Sequence, residues 1–419
     1  MKRKIKFAFL LLILTASCHR PAKEELVLIQ IQDRNGLSET ISDEEKLQVH
    51  SAKNFLDSQP YKKVFRLYRC QGKNRSVITT YYPNGSLWQL LEAKEMRAFG
   101  AYREWFSDGT QKIEAQVIGG TADLSPSAQE TWLFDGISEV CNERGTLIAQ
   151  IAYEKGALSG VSTFYYPSGA LEKKSFYQQD RKEGEERTFW ESGQLQSTTF
   201  YREGCKQGKS LGYWPDGKPS WEEEYEQSLL VHGVYFNQEQ IVAEVRNRAG
   251  NRALFDHRRP VRIEEIRNGV PEGLVQCFDA MGRLQSTYHL KNGKKHGEEL
   301  EYYPVDGARP QPKVSVDWDQ DVIHGNVKSW YENGQLESQR EFYKNKKAGI
   351  ACAWYRDGSL MLLEEYENDL LQRGQYYKKG QSNPISSISS GNGIASLYDG
   401  DGIFQNKITY LRGKPVDPE

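Results

Sequence analysis

One spacing recurs along most of this 419-residue chain and leaves few folds open to it. Counted from a glycine, an aromatic pair stands at +5 and +6, a second glycine at +9, Leu at +11, an aromatic at +17 and the next opening glycine at +24. Gly160 to Gly184 is one such unit, with Tyr165-Tyr166, Gly169, Leu171 and Tyr177. Gly184 to Gly208 is the next, with Phe189-Trp190, Gly193, Leu195 and Tyr201. The frame returns from Ser76, Gly100, Gly136, Gly208, Gly273, Gly297, Gly325 and Gly349. That makes roughly ten copies, with two worn ones near Tyr235 and Tyr376. Such a period marks a repeat array, in which each unit is one supersecondary element stabilised mainly by its neighbours.

Each unit reads as a β-hairpin. The dipeptides at +8 and +9 are Asn84-Gly85, Asp108-Gly109, Ser168-Gly169, Asp216-Gly217, Asn333-Gly334 and Asp357-Gly358. Asn-Gly and Asp-Gly suit a two-residue turn in which both central residues take positive φ. The flanks are rich in Tyr, Trp, Phe, Val and Thr, as strands are. A second turn is expected near +20 to +24, at Gly156, Gly204 and Gly293 or at Asp180, Asn345 and Asp369. Adjacent rings at +5 and +6 on a strand point to opposite faces, so aromatic rows are expected on both. The hydrophobic fraction of 38% is low for a two-layer fold and fits polar strands between aromatic rungs. The expected class is mostly β: an elongated antiparallel β-hairpin repeat array, a single-layer sheet with a small N-terminal cap.

The chain divides as follows. Residues 1–17 read as a signal peptide, with a basic start, an apolar run from Phe7 to Leu14 and small residues after it. Residues 18–75 form a cap and linker: a strand at Leu26–Ile31, a short helix signalled by Ser42-Asp43-Glu44-Glu45, and a strand at Val64–Tyr68. Repeats fill 76–232, broken by a loop insertion at Gly119–Glu130. Residues 233–272 read as a degenerate repeat or insertion, and repeats resume over 273–380 with a further insertion between Gly307 and Gly325. Residues 381–419 hold a flexible connector and then a terminal hairpin turning at Gly400-Asp401-Gly402.

Cys18 follows Ala16-Ser17 directly, which resembles a bacterial lipoprotein processing site, although Leu14 stands one place further back than the usual motif has it. Cys18 is therefore the candidate lipid-attachment residue, anchoring the chain to a membrane without a spanning helix. The other cysteines, Cys70, Cys141, Cys205, Cys277 and Cys352, follow no metal-ligand spacing and are expected to be free thiols, mostly half-buried. His232, His296 and His324 each precede an opening glycine and read as turn residues whose rings pack on the sheet. No phosphate-binding glycine loop and no nucleophile–base arrangement is present, so no catalytic residue, cofactor or metal is expected. A net charge of −2 argues against nucleic acid.

Trp330-Tyr331-Glu-Asn333-Gly334-Gln-Leu336 and Lys291-Asn292-Gly293-Lys-Lys-His296-Gly297 resemble the MORN-variant repeat of the YwqK-type antitoxin family, over about residues 76 to 380. The resemblance implies a hairpin array and a non-catalytic assembly or membrane-associated module. The segment from Phe278 through Asp279, Gly282 and Arg283 to Leu284 is similar to a single YD-type repeat, itself a hairpin element. The recurrent rings at +5, namely Tyr81, Trp105, Tyr165, Phe189, Tyr213, Trp330 and Trp354, are the candidate binding surface. The expected function is an exported, lipid-anchored, non-enzymatic scaffold of the cell envelope, periplasmic or surface-facing, binding a protein partner. Two alternatives are an antitoxin or immunity module that binds a toxin, as the resemblance implies, and a cell-wall glycan binder that uses the aromatic rows.

Overall fold

Two kinds of turn alternate along the chain and set its architecture. A computed structural model describes residues 24–70, 72–304 and 309–416; the signal segment, Cys18 and Gly307 lie outside them. The chain forms two units that divide between Glu183 and Gly184. In each, beyond the cap of the first, successive strands pair antiparallel in chain order, hairpin after hairpin.

The turn at +9 differs from the expected one. It has three residues rather than two: Gly85 N donates to Tyr82 O at 2.8 Å, and Tyr82 N donates to Ser86 O at 2.9 Å. Gly85 alone is left-handed, with φ +91°, while Asn84, Asp108, Asp216, Asn333 and Asp357 are not. This is a type I turn closed by a left-handed glycine, which forms a bulge. The Asn or Asp at +8 serves another purpose. Its Oδ1 accepts the backbone N–H two residues on, as in Ser86 to Asn84 at 3.0 Å, Thr110 to Asp108 at 2.8 Å and Gln335 to Asn333 at 3.0 Å.

The two-residue turns with two positive φ values lie at the other end of each hairpin. Gln179-Asp180 (48° and 64°), Lys344-Asn345 (50° and 65°) and Asn368-Asp369 (48° and 68°) are examples. Their twist matches that of the flanking strands. Each is tied to its predecessor in the array. In the first unit Asp180 N donates to Leu158 O at 3.0 Å while Asp180 Oδ1 accepts from Leu158 N at 2.8 Å. In the second, Asp321 binds Lys295, Asn345 binds Ile323 and Asp369 binds Lys347 in the same two-way fashion. A left-handed Asp or Asn is tolerated there because its carbonyl or carboxylate oxygen satisfies the neighbouring turn.

The first unit begins with a cap. The strand Glu25–Gln32 lies between Ser38–Ile41 and Lys63–Cys70. The helix Glu44–Ser51 starts one residue later than the expected cap, on Asp43, whose Oδ1 accepts from Lys46 N at 3.2 Å. Leu47 and Phe55 bury one sheet face with Ile29, Ile31, Val64 and Tyr81. The Gly119–Glu130 insertion covers a second core. Its short helix Pro126–Gln129 and the residues around it bring Leu124 and Trp132 onto Ile78, Leu91, Tyr102 and Val117. Trp132 Nε1 donates to Thr121 O at 2.9 Å, so the indole enters the core with its polar group satisfied.

In the second unit, residues 233–272 continue the meander as strands: Leu229–Asn237, Gln240–Arg246, Ala249–Asp256, Arg259–Arg267 and Val270–Phe278. Tyr225, Leu230, Tyr235, Val245 and Ile266 form their core. The expected connector at 381–390 carries a strand, Ser386–Ser389, paired with Leu370–Tyr376. The terminal hairpin Asn392–Tyr398 and Phe404–Leu411 turns at Gly400-Asp401-Gly402, and Lys414–Val416 adds one more strand.

Candidate functional site

The +5 rings end the first strand of each hairpin, one residue after the register shifts, as between Thr80 and Tyr81 or between Ala353 and Trp354. The +6 residue is therefore the first turn residue and not the next strand position. Strand alternation does not carry it to an opposite aromatic row, which corrects that expectation. In five repeats its polar tip crosses to the next one instead. In the first unit Tyr82 Oη donates to Trp105 O at 2.9 Å. In the second, Trp190 Nε1 reaches Tyr213 O at 3.2 Å, Tyr303 Oη reaches Trp330 O at 2.7 Å, Tyr331 Oη reaches Trp354 O at 2.8 Å and Tyr355 Oη reaches Tyr377 O at 2.7 Å.

None of the seven candidate surface rings is exposed. Tyr81 is buried, and Trp105, Tyr165, Phe189, Tyr213, Trp330 and Trp354 are half-buried. Tyr81 Oη donates to Phe55 O at 2.8 Å and lies 3.0 Å from Thr79 Oγ1, and burial pushes its phenol up to about 12. The exposed apolar side chains sit elsewhere, where +1 of the first strand faces +16 of the second. In the first unit Ile137 (61% exposed) faces Ala152, and Val161 (44%) faces Phe176 (42%). In the second, Phe200, Ile350 and Ile394 occupy the same register positions and are exposed too.

The second unit also holds a cleft of about 380 Å³, at the small end of the range for ligand pockets. Of the seven candidate rings only Tyr213 lines it, beside Trp190, Trp214, Trp221 and Phe255. Glu223 lies at its wall with a side chain 2% exposed. It accepts from Tyr225 Oη at 2.7 Å, Tyr235 Oη at 2.8 Å and Arg252 Nε at 2.8 Å. Burial, helped by the Glu223 charge, raises both phenols, so they stay protonated donors. Burial opposes the Arg252 charge, but Glu223 and the two tyrosines outweigh it and raise its pKa. The group is a satisfied ion pair within hydrogen-bonding range of two hydroxyls.

The same construction recurs near the C-terminus. Glu364 accepts from Tyr366 Oη at 3.1 Å and Tyr376 Oη at 2.7 Å. Gly233 faces Glu223 and Gly374 faces Glu364. A Cβ at either glycine would stand 2.7 Å or 2.8 Å from the tyrosine hydroxyl that folds over it. A sequence signal for both existed: Glu223-Glu-Tyr225-Glu-x-x-Leu229-Leu230-x-x-Gly233-x-Tyr235 repeats as Glu364-Glu-Tyr366-Glu-x-x-Leu370-Leu371-x-x-Gly374-x-Tyr376. It lies across the boundary between repeats, where a frame counted from the opening glycine splits it. Arg252, two residues after Gly250, has Ala395 as its counterpart after Gly393, so the second construction lacks the guanidinium.

Cys141, Cys277 and Cys352 are half-buried and unpaired, and Cys205 is exposed. The His324 ring packs against Tyr343 with centroids 5.0 Å apart. Among the described residues, no three His, Cys, Asp or Glu side chains gather as a metal site needs, and no helix is long and apolar enough to cross a membrane.

The MORN repeat variant family matches the chain at residues 158–179, 182–203 and 323–345. No curated protein matches it. Among solved structures, the crystal structure of TcdB2-TccC3-Cdc42 is similar over 93% of this chain at 12% identity and a TM-score of 0.14. The chain spans about a quarter (24%) of the length of that chain. The matches to the repeat family rest on hairpins in both units and agree with a repeat scaffold.

Proposed function

We propose that this protein is a non-enzymatic repeat scaffold of the cell envelope, held at a membrane by a lipid on Cys18, that presents one sheet face to a protein partner. The observation that carries the reading is the exposed apolar row of Ile137, Val161 and Phe176, set at equivalent positions of successive hairpins. Exposed apolar side chains in register on a firm sheet suit a partner that offers a complementary apolar strip. The two-way turn contacts and the crossing phenols hold successive repeats in fixed register, so such a row keeps its spacing without a partner. The match to a repeat family supports the scaffold reading, and the signal-like start with Cys18 supports the anchor.

The test has two arms. Brief crosslinking and capture of the tagged full-length chain from its native cells should recover one stoichiometric protein, and Val161→Glu with Phe176→Glu should lose it. Equal recovery by the variant would sink the assigned face. Incorporation of a labelled acyl chain should depend on Cys18, and Cys18→Ala should leave the membrane fraction. A variant that stays there would remove the anchor.

A further inference from the structure

The cleft of the second unit is lined in a way the scaffold does not require. Its walls are flat rings: Trp190, Tyr213, Trp214, Trp221 and Phe255. Its charges are already balanced. Glu223 is answered by Arg252 at 2.8 Å, and Arg258, near the Trp214 ring, is paired with Asp216 at 2.5 Å. A ligand bearing net charge would find no unbalanced partner in these pairs. Polar side chains that line the cleft, Gln196 and Ser220, offer hydrogen bonds without charge. One buried donor in the lining is unpartnered. Trp214 is 4% exposed, and its Nε1–H meets no acceptor among the described residues. Trp190, at the same repeat position, gives its N–H to the Tyr213 carbonyl, so Trp214 breaks the pattern at the cleft. A buried donor without a partner is unfavourable, and an acceptor placed against it relieves that cost.

We infer that this cleft binds a neutral N-acetylated saccharide. A pyranose presents an apolar C–H face that packs on an indole or phenol ring, and its hydroxyls need uncharged donors and acceptors at the edge. An acetamido carbonyl is a strong neutral acceptor, matched to the unpartnered Trp214 N–H in the cleft lining. The assignment is independent of the anchor and of the apolar row in the first unit, and either stands if the other fails.

The test is titration of the full-length protein with the N-acetylglucosamine trimer, followed by tryptophan fluorescence and calorimetry, with cellotriose as the sugar that lacks acetamido groups. The expected result is saturable binding of the trimer and at least about tenfold weaker binding of cellotriose, the loss of one good hydrogen bond. Trp214→Phe, which keeps a ring and removes the N–H, should weaken the trimer about tenfold. Gln196→Ala, at the half-buried edge, gives a second variant that spares the core and should also weaken it. Trp88→Phe in the first unit should leave binding unchanged. No saturable response to either sugar at millimolar concentration overturns the site. Equal affinity for the two sugars, or trimer binding indifferent to both Trp214→Phe and Gln196→Ala, overturns the acetamido assignment. Saturable binding of short peptides in place of sugars would replace the saccharide with a protein ligand and overturn it as well.

Discussion

Tyr331 Oη donates to the carbonyl oxygen of Trp354 at 2.8 Å, joining the first turn residue of one hairpin to the last strand residue of the next. Tyr331 is 5% exposed, so this bond is made away from solvent, where a missing partner is felt. The same link from Tyr303 to Trp330 makes it a rule of the array rather than an accident of one unit.

Tyr331→Phe keeps the ring and removes the donor. The expected loss is about 1 kcal/mol, with the Trp354 carbonyl left without that partner. Because a repeat array need not unfold in one step, hydrogen exchange is the better readout. Amides of the strands Val322–Trp330 and Lys346–Trp354 should lose protection, while those of the first unit should not.

Gly374 is required by a side chain and not by its own backbone, since its φ is not positive. Gly374→Ala would drive a Cβ to within 2.8 Å of the Tyr376 hydroxyl and about as near its ring. A cost of about 1–3 kcal/mol is expected. In a Tyr376→Val background the same change should cost far less, a coupling of at least about 1 kcal/mol in a double-mutant cycle. A penalty unchanged by the background would show that the tyrosine is not the obstacle.

Trp132 roofs the second core of the first unit, with its ring 4.8 Å from that of Tyr102 and 6% of its surface exposed. Trp132→Ala should destabilise that unit by about 3–5 kcal/mol, from lost burial and the cavity left behind. Chemical denaturation followed at the remaining tryptophans should show the first unit melting early. An unchanged midpoint would mean that the insertion only rests on the sheet.

Tyr81 sets an alkaline limit on the cap. Burial raises its phenol from 10.0 to about 12, so the folded protein holds this proton more tightly than the unfolded chain does. The associated stability is complete below pH 10.0 and is lost as pH climbs through about 12. Melting temperatures of the wild type should fall across that window, and the fall should be shallower in Tyr81→Phe. Identical pH slopes would contradict the burial account.

Much of the fold was legible because the signals are local. Glycines and Asn or Asp at fixed offsets mark turns, and alternating strand residues between them mark hairpins. The second turns fall where they are expected, with Asp180, Asn345 and Asp369 left-handed, but the first turn is of another type. Asn84-Gly85 reads as a two-residue turn, yet Pro83 and Asn84 complete a type I turn and Asn84 uses its side chain on Ser86 N. Asp180 marks the other turn, but nothing there signals that Gln179 is left-handed as well, nor that Asp180 binds Leu158, which belongs to the preceding repeat turn. The site was far less legible. The rings at +5 read as a surface row, yet none of them is exposed; a bulge puts +6 in the turn, where Tyr82, Trp190, Tyr303, Tyr331 and Tyr355 spend their hydroxyl or indole N–H on the next repeat.

The sequence by itself determined that this chain is an antiparallel hairpin array, because period, turn chemistry and strand composition act over a few residues at a time. Tertiary structure alone decided which faces are covered, which rings are buried and where a cleft opens. Each depends on residues far apart in the chain. Trp132 lies on Tyr102 because an insertion folds back, and Trp214, Glu223 and Arg252 share one cleft because strand register places them there. A spacing fixes the hairpin; only the packing of one hairpin on the next fixes what its side chains meet.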